Sequence, residues 1–123
     1  MNWQDLIQNK IQPRRPTLVL PEANDERIIQ ATDYLIRNKL VHKIILLGDP
    51  AAVKDRLQVY HTPELEQTLE IINPPEFAGL DQMVAEYILI RQGKKDLNPQ
   101  RAKSFVLDPV AFAALLVRLN YAD

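Results

Sequence analysis

The chain has 123 residues, 46% of them apolar and 25% charged, and a formal net charge of −1. That length allows one ordinary domain or a piece of a larger one, and the composition fits a soluble globular chain with a real core, with no surplus charge to draw it to nucleic acid or an anionic membrane. The absence of cysteine excludes a disulfide framework, a thiolate metal site and a cysteine nucleophile.

Residues 2–11 carry Trp3, Leu6, Ile7 and Ile11 at helical spacing, and Pro13 closes that segment. This start lacks the apolar core of a signal peptide, and no run in the chain reaches the roughly 18 apolar residues of a membrane span, so a cytoplasmic protein is expected. "TLVL", residues 17–20, is a short apolar run between Pro16 and Pro21 and reads as a strand buried on both faces. A helix follows, with Asn24 as its predicted N-cap and Asp25 and Glu26 in the first turn, where carboxylates suit the dipole. Ile28, Ala31 and Leu35, with Ile29, Thr32 and Ile36 beside them, supply its apolar face.

"KIILLGD", residues 43–49, reads as a second buried strand ending at Gly48, and Asp49-Pro50 supplies the N-cap and first position of a short helix through Leu57. "LEIIN", residues 69–73, is a third strand, stopped by Pro74-Pro75. A long helix is predicted over 76–91, with Leu80, Met83, Val84, Tyr87, Ile88 and Ile90 as its apolar content. Asn98-Pro99 and Asp108-Pro109 open two more, over 99–106 and 109–119. Strands alternating with helices argue for an α/β fold, three layers deep, with a mainly parallel sheet. The last helix, "VAFAALLVRL", is apolar nearly all round and so calls for cover on more than one side, from a partner subunit or from further chain.

In open α/β sheets, ligands bind beyond the carboxyl ends of the strands, where helix N-termini point. "PEANDER", residues 21–27, lies at such a place. Arg27 there has two readings: a phosphate ligand offering paired donors, or a local clamp to Glu22 or Asp25. Arg91, at the end of the predicted long helix, suits the dipole as a plain capping cation. Lys94, Lys95, Arg101 and Lys103 form a basic cluster that reads as a solvated face. His42 and His61 stand apart from any carboxylate pair and read as non-functional, and the three glycines make no phosphate-binding loop.

The ordered set of motifs resembles the opening of the phosphate acetyltransferase and butyryltransferase family. It consists of Leu20-Pro21-Glu22 with Asp25 and Arg27, Leu47-Gly48-Asp49-Pro50, "LEIINPPEF", "YILIRQGKK" with Arg91, and "DPVAFAALLVRLNYAD". The match runs over nearly the whole chain from residue 17. "QGKKDLNPQRA" departs from it, one residue longer than the usual spacing and lacking the threonine that follows Lys-Gly.

The resemblance implies that residues 1–123 are one partial α/β domain, the incomplete N-terminal part of a two-domain acyltransferase fold. It implies transfer of an acyl group between coenzyme A and inorganic phosphate, with coenzyme A as substrate, no cofactor and no metal, and a homodimer at full length. Arg27 and Arg91 match arginines that bind coenzyme A and phosphate, while the groups that orient the thiol have no counterpart here, so the isolated chain is expected to be inactive. A second expectation is a sensing module that binds acyl-CoA without turnover, since the same domain type resembles the C-terminal part of large malic enzymes. A third is an interaction module that docks through the helix at 110–119.

Overall fold

Three apolar runs pair into one sheet: β1 (Thr17–Leu20), β2 (Lys43–Leu47) and β3 (Leu69–Ile72), all parallel, in the order β1-β2-β3. The computed structural model describes residues 15–60, 63–91 and 97–123, so the predicted helix over 2–11, His61, Lys94 and Lys95 lie outside the described residues. Register sets Leu18 beside Ile44 and Ile44 beside Leu69, with Leu20, Leu46 and Ile71 in the rows that follow. Successive side chains on a strand point to opposite faces, so each run divides itself between two cores. One core gathers Leu18, Leu20, Ile44, Leu46, Leu69 and Ile71. Val19, Ile45, Leu47 and Ile72 belong to the other.

Helices close both faces. Over the first lie α1 (Glu26–Arg37), α2 (Pro50–Leu57) and α3 (Pro63–Thr68), which contribute Ile29, Ile36, Val53, Leu57 and Leu65. Over the second lie α4 (Leu80–Ile90), α5 (Pro99–Val106) and α6 (Pro109–Arg118), which contribute Leu80, Met83, Val106, Phe112 and Leu116. The architecture is the three-layer α/β/α arrangement that the alternation of elements implies.

Several expectations need correction. β1 is only half-buried, because β2 pairs with it on one side and its other side carries no strand among the described residues. The outer side of β1 meets Asp123 instead, whose N–H donates to the Thr17 carbonyl at 2.8 Å while its Oδ2 accepts the Thr17 N–H at 2.8 Å. The segment predicted as one helix over 76–91 is two pieces, a 3-10 turn at Pro74–Glu76 and α4 from Leu80. Phe77 between them is extended, and its ring sits edge-on to Phe112 and Tyr121 at 5.4 and 5.5 Å. Aromatic packing of this geometry outweighs the helical pattern of the residues around it. α3 was not predicted, since six residues carry too little period to read. The expectation for the last helix is not among these corrections: within this chain α6 buries Phe112, Ala113, Leu115 and Leu116 and leaves Val110, Ala114 and Val117 exposed.

The helix ends follow elementary capping chemistry. Asp49, Asn98 and Asp108 each accept a backbone N–H in the first turn, at 3.0, 2.9 and 3.1 Å, with proline in the next position. At the other end, α1 and α6 both close through a residue in the left-handed region, Lys39 (φ 56°) and Asn120 (φ 68°). The Leu40 N–H reaches back to the Leu35 carbonyl at 3.0 Å, and the Tyr121 N–H to that of Leu116 at 2.9 Å. Asparagine tolerates this conformation, whereas lysine bears its steric cost. Lys39→Gly is expected to raise stability by about 0.5–1 kcal/mol, the relief of a crowded Cβ less glycine's greater chain entropy. Equilibrium urea unfolding checks this, and a fall in midpoint would contradict it.

Candidate functional site

Parallel strands deliver Leu20, Leu47 and Ile72 to a single edge of the sheet, and the N-termini of α1 and α2 follow β1 and β2 directly. This is the edge at which open α/β sheets take their ligands. The Pro21–Asp25 loop crosses it closely. A Cβ placed on Gly48 would come within 3.1 Å of Val53 Cγ2 and 3.6 Å of the Ala23 Cβ, so the turn after β2 leaves almost no space above it. The Gly48 N–H donates to the Ile72 carbonyl at 3.0 Å and carries the β2–β3 ladder one step further. Tyr60 returns to the same edge after α2 and donates its hydroxyl to Glu26 Oε1 at 3.2 Å. Desolvation, and next that bond to Glu26, raise the Tyr60 phenol above its ordinary value.

The N-cap of α1 is Asp25, not Asn24. Asp25 Oδ1 accepts the Arg27 N–H at 2.9 Å, and the same carboxylate grips the Arg27 side chain through Nε–Oδ1 at 3.2 Å and Nη2–Oδ2 at 2.8 Å. A carboxylate has two oxygens to share among these three donors, which one asparagine amide oxygen cannot match. Of the two readings of Arg27, the clamp is therefore formed, with Asp25 as partner, and Glu22 adds only a through-space field. The Arg27 side chain remains 87% exposed, so the clamp lies on the surface of the edge. The guanidinium of Arg27, then its backbone N–H, hold the Asp25 carboxyl below its usual range.

Arg91 is the C-cap of α4, its N–H donating to the Tyr87 carbonyl at 3.0 Å. Its guanidinium lies over the Tyr87 ring, 5.8 Å from the centroid, and Nε donates to Tyr87 Oη at 3.4 Å. No carboxylate among the described residues lies within ion-pair distance of Arg91, and no contact joins it to Arg27. Sequence reasoning treated Tyr87 only as core, although its i,i+4 spacing to Arg91 on one helix was a readable sign of contact. His42 is exposed on the connection into β2. No group of three or more His, Asp or Glu among the described residues is placed to hold a metal ion.

Residues 3–123 match the model of the family described as phosphate acetyl/butaryl transferase. The chain belongs to that family. It is similar to the phosphate acetyltransferase of Borreliella burgdorferi, 29% identical over 109 residues, covering 88% of this chain and 31% of that protein. The phosphate acetyltransferase of Helicobacter pylori is 33% identical over 120 residues, covering 98% of this chain and 22% of that one. A crystal structure of a phosphotransacetylase from Streptococcus pyogenes superposes with a TM-score of 0.85 at 30% identity, over all of this chain and 37% of the other. The chain thus spans about a third or less of the length of these family members. The motifs that carry the resemblance in the sequence lie within the matched residues.

The Asp25 clamp has a definite pH signature. A carboxyl held below its usual range in the folded state contributes stability above the unfolded pKa, and that contribution is lost as pH falls through the folded value. The carboxyl carbon of Asp25, followed by NMR, is expected to titrate below the ordinary carboxylate range and to move back toward it in Arg27→Ala. An unchanged midpoint in that variant would show that the clamp does not persist in solution.

Proposed function

We propose that this chain supplies one edge of the coenzyme A and phosphate site of a phosphate acyltransferase, which interconverts acetyl-CoA and phosphate with acetyl phosphate and coenzyme A. The observation that carries the reading is the family match over residues 3–123, laid on a sheet edge where two helix N-termini meet. Coenzyme A enters as substrate, and no resident cofactor or metal is called for.

Arg91 and Arg27 are the residues proposed to bind it. A guanidinium presents paired donors to phosphate oxygens, and each such charge-assisted bond is stronger than a neutral one. Arg91 is better prepared, having no carboxylate partner among the described residues, whereas Arg27 must exchange Asp25 for the ligand. The chemistry is positional and electrostatic. The thiol of coenzyme A attacks the acyl carbon of acyl phosphate, the carbon–oxygen bond to phosphate breaks, and phosphate departs with that oxygen and, in the balance, the proton the thiol gives up. Holding both reactants in place converts a bimolecular encounter into a near-unimolecular step, and donors aimed at the developing oxyanion lower its barrier. The groups with that second task are assigned outside these 123 residues, and dimerisation at full length belongs to the same reading.

Titration calorimetry with coenzyme A tests the binding assignment. Arg91→Ala is expected to weaken binding about tenfold, near the 1.5 kcal/mol lower bound for a hydrogen bond to a charged group. Arg27→Ala is expected to weaken it less. Affinity unchanged from the parent chain in both variants, or no binding by the parent chain, overturns the reading. The 123-residue chain is further expected to form no acetyl phosphate from acetyl-CoA and phosphate, and turnover in that assay would refute the division of labour proposed.

A further inference from the structure

Arg91 lies at the last turn of α4, where an exposed arginine ordinarily samples many rotamers, and fixing such a side chain on a ligand costs side-chain entropy. Here two contacts restrain it. The Tyr87 ring lies under the guanidinium at 5.8 Å, and Tyr87 Oη accepts from Nε at 3.4 Å. Tyr87 is itself half-buried and packs on the core shared by α4, α5 and α6. Its ring also meets Phe105 of α5, with centroids 6.2 Å apart and planes inclined at 31°. Phe105 is 53% exposed, so its ring stands at the surface beside that of Tyr87.

We infer that Tyr87 is a positioning residue for Arg91, buttressed by Phe105, and that the stack Phe105–Tyr87–Arg91 prepares the guanidinium for a phosphate-bearing ligand. This rests on the reading of Arg91 as a coenzyme A ligand. With Nε turned to the tyrosine hydroxyl, the two Nη groups are left for a phosphate, which is the geometry of a paired grip. The ring supplies attraction without supplying negative charge, so it restrains the guanidinium while leaving its charge for the ligand. A carboxylate at the same position would restrain it and neutralise it at once, as Asp25 does for Arg27.

The test uses the 123-residue chain with coenzyme A as probe. Tyr87→Leu removes ring and hydroxyl and is expected to weaken binding about threefold, the scale of an exposed cation–π contact. Tyr87→Phe keeps the ring and is expected to recover part of that loss, and Phe105→Leu, which touches no ligand, to give a smaller one. Proton NMR supplies a readout that loss of fold alone would not mimic. The Arg91 side-chain protons are expected to carry a ring-current shift that disappears in Tyr87→Leu and persists in Tyr87→Phe, with the remaining spectrum unchanged. If Arg91→Ala weakens binding while neither Tyr87 variant does, or if the ring-current shift is absent from the parent chain, the positioning role is overturned and the ligand role of Arg91 survives. If Arg91→Ala is silent, both fall together.

Discussion

Everything in this chain depends on β2 being buried on both faces. Ile44, Ile45, Leu46 and Leu47 are each at most 4% exposed, and they alternate between the two cores. Full burial of side chains of this size is worth about 1.5–3 kcal/mol each, so one strand anchors both layers of helices. Parallel pairing on either side of β2 then obliges the chain to cross over between strands, and the crossovers are what place α1, α2 and α3 over one face. Lys43 and Glu70 pair across β2 and β3, but on the exposed rim such a contact trims the register without determining it.

That constraint also creates the candidate edge. Parallel strands with crossovers bring every strand end to the same side, and helix N-termini with their unpaired N–H groups come with them. The edge is tight because Gly48 has no side chain: the Pro21–Asp25 loop settles on it through Ala23, and the ladder to Ile72 continues beneath. A Cβ at 48 would press on Val53, which would have to give by a few tenths of an ångström, while meeting Ala23 at an ordinary contact distance. The turn after β2 and the loop that carries the cap of α1 are thus packed neighbours.

Much of this was legible in the sequence because the signals were local. Asp49-Pro50, Asn98-Pro99 and Asp108-Pro109 each join a side-chain acceptor to a residue already fixed in helical φ, and all three open helices as read. "KIILL" carries a continuous apolar run, Ile44 to Leu47, bounded by a glycine, and it is the central strand. Failures arose where tertiary partners decided. The choice of Asp25 over Asn24 depends on three donors, two of them on a side chain whose direction no propensity records. The break at Phe77 depends on Phe112 and Tyr121, far along the chain. The exposed side of β1 depends on which strands stand beside it, and an apolar run of four residues reads the same at an edge as at the centre. At the site, sequence named Arg27 and Arg91 and favoured Arg91, but what each side chain touches, Asp25 for one and Tyr87 for the other, was not legible in it.

The contrast between these arginines is the most informative feature of the candidate site residues. Both are exposed, both sit at helix ends, and both carry the same charge. Arg27 stands in the first turn of α1, where the dipole disfavours a cation, and Asp25 answers by capping the helix and clamping the guanidinium together. Arg91 stands at the end of α4, where the dipole favours it, and no carboxylate among the described residues pairs with it. The position that is electrostatically comfortable is thus the one whose charge stays available, and an aromatic ring can restrain it without cancelling it. The proposal that Arg91 is the stronger anion ligand rests on this contrast, since a phosphate at Arg27 competes with a surface carboxylate that water already weakens.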